Sequence, residues 1–310
     1  MKELEIIDVI KKTLSSEYIG DDCANLEDLG IVVTQDSLVE DVHFSRKFSS
    51  AYQLGYKSVA VNLSDIYASG AEAKYLTVSL SLPKDVDTEF VKDFYDGAKS
   101  VLNGAKIVGG DVTGSNKIFV SVTAIGSTKN RKISSRKNAK VGYKIITNGV
   151  HGSSSAGLFA LQNGICGHET IKKEHLMPTI SNKLSDEISK VAKSDYAMMD
   201  SSDGLMDSLF KIADNSGFMA KVNFDKIPYD KDIETLENFD YKKTIFYGGE
   251  DYKLVCAISK EDLEKINPNL YTEIGEIVEK NGNNIVEVEF ENGVKSFNKK
   301  DIEENLFKHF

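Results

Sequence analysis

Asp22, Asp36, Asp111, Asp200 and Asp203 stand where segments end, not on open helix faces. Asp21 and Asp22 follow Gly20 in IGDDCA, and Asp36 closes the β-branched run 31–34 in VTQDSLVEDVHF. Asp111 follows Gly109 and Gly110, while Asp200 and Asp203 bracket a strand-to-helix turn in MMDSSDGL. Turn chemistry and capping account for any one of these alone: Asp203 before Gly204, or Ser202 before a helix, satisfies orphan amides. As a set they offer hard oxygen ligands, the kind Mg²⁺ takes while sharing them with substrate phosphates. Two carboxylates about 4 Å apart repel by about 4 kcal/mol at an effective dielectric of about 20. Gathered without a cation, they would raise their own pKa values or loosen the fold. Bound metal should therefore stabilise the chain if they converge.

A sixth acid is more telling. In LGYKSVAVNLSDIYASG, Ser58, Asn62, Asp65 and Ser69 fall at i, i+4, i+7 and i+11, one stripe of a helix. The other positions are mainly apolar, so the helix should be largely buried and Asp65 needs a partner. No basic residue stands three or four positions away to supply it. A metal ion would.

Phosphate contacts are sparser. The sequence has no GxxxxGK[ST], no protein-kinase signature set and no GxGxxG after a strand. His151-Gly-Ser-Ser-Ser-Ala-Gly157 follows a strand-like run and opens a helix, where backbone amides can approach an anion. A plain Ser-capped helix explains it as well. Arg136, in a basic stretch, could clamp phosphate bidentately or be a surface residue. His151, His168 and His175 lack the spacing of a zinc site. His43, seven residues past Asp36, could contact substrate.

These residues need elements to hold them. Strand-like and helix-like segments alternate throughout: strands at 31–34, 75–82, 117–125, 143–147, 196–199, 219–224, 254–258 and 284–290. Helical spacing marks 88–103, a helix opening near Ser153, 181–193 and the stretch after Ser202. The basic, weakly patterned stretch 129–140 reads as a connection, giving two mixed α/β halves, 1–135 and 136–310. Apolar-Gly-Gly-acid recurs at 107–111 and 246–251, which reads as a shared local solution and not a duplication.

Composition sets the outer limits. With 38 Lys and Arg against 48 Asp and Glu, the chain carries −10 and has no basic block to grip a nucleic-acid backbone. An acidic protein that binds phosphate calls for a bridging cation. Cys23, Cys166 and Cys256 are dispersed, without a CxxC pair, which suits reduced thiols. MKELEIIDVIKKTL reads as an amphipathic helix, not a signal peptide, and no apolar run is long enough to span a bilayer. A cytoplasmic protein is expected.

Taken together, IGDDCA, TQDSLVEDVHF, GYKSVAVNLSDIYASGAEAKYL, VGGDVTGS, SSRKNAKVG, HGSSSAGL, DSSDGL and YGGEDYKL resemble the thiamine-monophosphate kinase family. That family belongs to the superfamily of aminoimidazole ribonucleotide synthetase and selenophosphate synthetase. The segments span nearly the whole chain in the family's order, and Lys308, His309 and Phe310 resemble its C-terminus. The resemblance implies a two-domain PurM-like fold of the α/β (α+β) class. An N-terminal mixed sheet would form a barrel across a homodimer, and a C-terminal αβ domain would close over ATP. It implies several Mg²⁺ ions held by Asp22, Asp36, Asp65, Asp111, Asp200 and Asp203, with oxygens of Thr34 and Gln35 assisting. ATP would meet Gly110, Asp111, Arg136 and Ser202, and thiamine monophosphate would meet His43, Glu250 and an aromatic near the C-terminus, Phe297. Asp36, Asp111 and Asp203 would serve the chemistry most directly.

The sequence departs from the family pattern at four basic or polar positions. Val112 and Gly114 replace a threonine and the arginine of GGDTTRG, Ser153 replaces the aspartate of GDSAAG, and Met177 replaces the arginine of HLRP. Lost basic side chains would weaken ATP binding or shift substrate preference, while the carboxylates are all kept. The implied reaction is in-line attack of a substrate phosphate oxygen on the γ-phosphorus of ATP, which needs positioning and charge neutralisation but no strong base. The rival readings are another ATP-dependent enzyme of the superfamily acting on a different small phosphate, and a catalytically silent nucleotide-binding dimer. Selenophosphate synthetase would call for a reactive N-terminal Cys or Sec loop, and hydrogenase-maturation relatives for a C-terminal Cys.

Overall fold

The fold, taken from a computed structural model, is described for residues 3–306; the likeness at 308–310 lies outside them. The first half contains α1 (Glu3–Leu14), β1 (Ala24–Leu26), β2 (Ile31–Val39), α2 (Ala51–Ala68) and β3 (Glu72–Leu82). α3 (Thr88–Ser100), β4 (Lys106–Gly114) and β5 (Phe119–Ser127) complete it. The strands form one sheet in the order β1-β2-β5-β3-β4, with only β3 and β4 parallel.

After the linking stretch come β6 (Lys144–Thr147), α4 (Ser153–Gln162), α5 (Glu169–Leu176), α6 (Lys183–Val191) and β7 (Ala197–Asp200). Next are α7 (Leu205–Ser216), β8 (Met219–Asn223), α8 (Tyr241–Tyr247) and β9 (Leu254–Ile258). The short helix α9 (Lys260–Leu263), then β10 (Thr272–Val278), β11 (Asn284–Phe290), β12 (Gly293–Asn298) and α10 (Lys299–Glu303) follow. A second, seven-stranded sheet runs β12-β11-β8-β10-β6-β9-β7. The mixed α/β class expected from the sequence is what the chain adopts. No helix among the described residues is long and apolar enough to cross a membrane.

α2 ties the two sheets together. Ser50 caps it through the amide of Gln53, whose side chain returns the bond to the Ser50 amide, so both orphan donors are satisfied. Leu54, Val59, Ala60, Leu63, Ile66 and Ala68 join one apolar core with Val32, Val78 and Val122 of the first sheet and Met198, Leu254 and Cys256 of the second. The helix is therefore buried nearly all round, as its composition requires. Two glycines let α3 approach: a Cβ on Gly55 would lie 1.8 Å from Phe94 O, and one on Gly97 would lie 1.9 Å from Tyr52 O. Gly97→Ala should cost about 2 kcal/mol, because the obstruction is backbone and cannot rotate away. Thermal melting checks it, and an unchanged melting temperature would mean that the helices part freely.

Several sequence expectations are corrected here. The run 31–34 does not end before Asp36: β2 continues to Val39, paired residue for residue with β5, so Asp36 is a mid-strand side chain opposite Val122. Gly109, Gly110 and Asp111 are not a turn but part of edge strand β4, whereas Gly248, Gly249 and Glu250 form the loop between α8 and β9. The recurring Gly-Gly-acid is therefore two different local structures. β10 and β12, each with a glycine and only one or two charged residues, lie outside the strands read from the sequence. They form because their ladders with β6, β8 and β11 outweigh weak propensity.

Candidate functional site

Carboxylates from three separate segments meet at one place. Asp22 comes from the loop before β1, Asp65 from α2 and Asp200 from the last position of β7; one oxygen of each lies within 4.8 Å of the others. Asp65 accepts a hydrogen bond from Thr34 Oγ1 at 2.6 Å, and Asp200 accepts one from Ser64 Oγ at 2.5 Å. Asp22 pairs with Arg136 Nη2 at 2.7 Å. The other oxygen of Asp200, Oδ1, is buried with no hydrogen-bond partner. An unpaired carboxylate oxygen in a buried cluster of carboxylates is the donor set of a hard divalent cation, so the residues present fit Mg²⁺.

Asp36 and Asp203 continue this acidic end into a cleft of about 860 Å³. His43, Ser202 and Glu250 line the same cleft, and Phe44, Phe48, Tyr247 and Tyr252 add aromatic rings to its walls. The Asp36 amide donates to Asn62 Oδ1 of α2 at 3.0 Å, which fixes the strand against the helix stripe. Asp203, in the turn before α7, lies 3.5 Å from Lys211 Nζ.

The acids disturb one another as expected for anions gathered out of water. Burial, then the charges of Asp203 and Asp22, pushes Asp36 up to about 6. Burial and then Asp22 pushes Asp200 up to about 7, and burial with Asp36, Asp200 and Asp22 raises Asp65 well above the usual carboxylate range. Each folded pKa lies above its unfolded value, so the folded chain holds more protons. The stability these groups contribute is complete below about pH 4 and is lost as pH rises towards 7. The metal-free protein should therefore melt lower at pH 8 than at pH 5.5, by several degrees. Mg²⁺ should raise the melting temperature more at pH 8, where its ligands are ionised. Equal Mg²⁺ shifts at the two pH values would contradict a carboxylate site.

Other expected residues lie elsewhere. Gln35 alternates with Thr34 on β2, so its side chain points to the opposite face and bonds Ser121 Oγ at 3.1 Å and Thr123 Oγ1 at 3.0 Å. Gly110 and Asp111 sit on exposed edge strand β4 and do not line the cleft. Phe297 lies on β12, at the other edge of the second sheet from β7, and packs on that sheet's core. Arg136 is not free: besides Asp22 it is tied through its amide to Asp21 at 2.7 Å. Among the three histidines without zinc spacing, His151 bonds Thr147, His168 bonds Asp232 and His175 bonds Ser154.

Neither helix start behaves as the sequence suggested. α7 is capped at Gly204 without any side-chain bond, so Ser202 and Asp203 do not serve as caps. α4 begins after Gly152, but its amides face a protein carboxylate: Asp251 accepts from Gly152 N at 2.6 Å and Ser154 N at 2.9 Å. The group facing the start of HGSSSAG is thus the chain's own carboxyl, Asp251.

Two residues that hold the cleft-wall carboxylate Glu250 were missed. Lys57, 3% exposed in α2, pairs with Glu250 at 3.0 Å, and His175 lies 3.4 Å from the same carboxylate. The one signal was in the sequence: Lys57 is the single cation within an otherwise uncharged, largely apolar helix apart from Asp65.

Comparison with known proteins gives the family. A family model described as AIR synthase related protein, N-terminal domain, matches residues 20–128. Thiamine-monophosphate kinase of Aquifex aeolicus is 35% identical over 292 residues, 90% of this chain and 92% of that protein. Thiamine-monophosphate kinase of Buchnera aphidicola subsp. Acyrthosiphon pisum is 34% identical over 80% of this chain and 78% of its own length. The solved structure of AaThiL complexed with AMPPCP and TMP superposes with a TM-score of 0.87 at 32% identity, covering 100% of this chain and 97% of that one. The fold, the acidic cleft and this identity over most of both chains place the protein in the thiamine-monophosphate kinase family.

Proposed function

We propose that this chain phosphorylates thiamine monophosphate with ATP, producing thiamine diphosphate and ADP. The observation that carries the reading is the meeting of Asp22, Asp65 and Asp200 within 4.8 Å beside a cleft lined by both acids and aromatic rings. Two polyanions can meet beside carboxylates only with cations between them, and an aromatic wall suits a flat heterocycle. The relative complexed with AMPPCP, a non-hydrolysable ATP analogue, and with TMP supports the same pair of substrates.

Mg²⁺ bound here would neutralise the charge spread over the transferring phosphoryl group. Asp22, Asp65 and Asp200 would hold it, with Asp36 and Asp203 reaching ions nearer the cleft and Thr34 fixing Asp65. A phosphate oxygen of the substrate forms the new P–O bond to the γ-phosphorus as the bond to the β–γ bridging oxygen breaks, and ADP takes the electron pair. That nucleophile is already largely ionised at neutral pH, so no residue need remove a proton. His43, Glu250 and the cleft aromatics orient the substrate; Ser202 and Arg136 would meet the nucleotide. The family resemblance, not the cleft, assigns Gly110 and Asp111 of exposed strand β4 to the nucleotide.

The same reading includes a division near residue 135, a cytoplasmic location and a homodimer built on the first sheet. The edge position of β4, with Val108 and Val112 59% and 68% exposed, supports the dimer. Purified protein incubated with thiamine monophosphate and MgATP should yield thiamine diphosphate, detected by mass spectrometry. ATP binding with no new phosphate ester would leave a silent nucleotide-binding protein instead, and turnover of a different small phosphate would move it elsewhere in the superfamily.

A further inference from the structure

The loop between α8 and β9 holds Glu250 under constraint. Its φ is 67°, a conformation costly for a residue with a side chain, and its amide donates to Ser202 O at 2.6 Å. The neighbours anchor it further: Asp251 binds the first amides of α4, and the Lys253 amide donates to Ser201 Oγ at 3.0 Å. Backbone strain of this kind persists only where surrounding contacts over-determine it.

The carboxylate so presented is gripped from behind. Lys57 Nζ lies 3.0 Å and His175 Nδ1 3.4 Å from it; both of those side chains are 4% exposed, while that of Glu250 is 26% exposed. One side of Glu250 therefore meets the protein interior and the other faces the cleft beside His43, Phe44, Phe48 and Tyr247. Burial alone would raise the Glu250 carboxyl, but Lys57 holds it below the usual range; burial pushes the His175 imidazole down to about 4, so it is a neutral neighbour and not a second cation. A buried ion pair is weak evidence of a purely stabilising role for Lys57, because apolar residues of similar volume often do as well. An anion fixed among aromatic rings does suit a cationic heterocycle.

We infer that Lys57 is a positioning residue for substrate recognition: by fixing Glu250 at the cleft wall it orients that carboxylate toward the positively charged ring system of thiamine monophosphate, without touching the reacting phosphates. The inference rests on the function proposed above. It gives ring recognition and phosphoryl transfer to one cleft, with α2 serving both through Lys57 and Asp65.

Steady-state kinetics of Lys57→Met separates these roles. The KM for thiamine monophosphate should rise about tenfold, the energy of one weakened charge contact, while the KM for ATP and kcat change little. The Mg²⁺-dependent melting shift should persist, showing that the acidic cluster is intact. Glu250→Gln should raise the same KM, and the double variant should go no further than Glu250→Gln alone. An unchanged KM for thiamine monophosphate, an equal rise in the KM for ATP, or additive effects in the double variant would overturn the inference. If Lys57→Met does not fold, His175→Gln takes its place: the same split supports the clamp and unchanged kinetics refute it. A wild type that never forms thiamine diphosphate would refute the function itself, whereas an active wild type with a kinetically silent Lys57→Met refutes the clamp alone.

Discussion

Asp65→Asn lowers kcat/KM for phosphoryl transfer by about 10³-fold and at the same time raises the melting temperature of the metal-free protein. The two effects have one cause. Asp65 is buried beside Asp36, Asp200 and Asp22, and burial together with their charges raises its carboxyl well above the usual range. Each unit of such a rise represents about 1.4 kcal/mol by which ionisation at high pH weakens the fold. Asparagine removes that charge and keeps an acceptor for Thr34 Oγ1, which now donates to Asp65 at 2.6 Å. It also removes one anionic ligand, so Mg²⁺ with nucleotide should no longer stabilise the variant as it does the wild type. The measurements are initial rates and melting curves at pH 8 with and without Mg²⁺. Equal Mg²⁺ stabilisation of the two proteins would exclude Asp65 as a ligand, and a variant less stable than wild type without metal would show that the cluster is not repulsive.

Asp251→Ala should cost about 4 kcal/mol, the largest stability effect expected from a single polar substitution here. Its carboxylate is 2% exposed and satisfies two buried amides at the start of α4. Alanine leaves both donors unpaired and the positive end of the helix uncompensated. A neutral asparagine, which can still accept, should recover part of the loss. Catalysis should suffer too, because Asp251 anchors the loop that carries Glu250. If α4 instead captured a substrate phosphate, as the sequence of HGSSSAG suggested, Asp251→Ala would free that site and tighten nucleotide binding. Chemical denaturation and the KM for ATP distinguish these outcomes.

The distinction between Asp251 and the aspartates of the cluster shows what local patterns can convey. Gly-Ser-rich starts of helices look alike whether their amides face a ligand or a carboxylate from another segment, since the partner lies 97 positions away. Asp111 and Asp203 both follow or precede glycine, yet the first falls on an exposed edge strand and the second on the cleft wall. Gln35 and Thr34 are neighbours in sequence, and strand alternation sends them to opposite faces. Phe297 was placed by its nearness to the C-terminus, but sheet order sets β12 six strands from β7.

The sequence by itself determined the mixed α/β class, the buried character of α2 with its stripe of short polar side chains, and the need of Asp65 for a partner. These follow from side-chain period and the desolvation cost of a carboxylate, which act over a few residues. Only the tertiary structure decided which acids share a centre and which hold helices, strands or loops. Ser64 and Asp200, bonded at 2.5 Å, are 136 positions apart, and nothing short of packing α2 between two sheets brings them together. The same packing buries Lys57 against Glu250 and so makes one ammonium in an apolar helix the partner of a cleft-wall carboxylate.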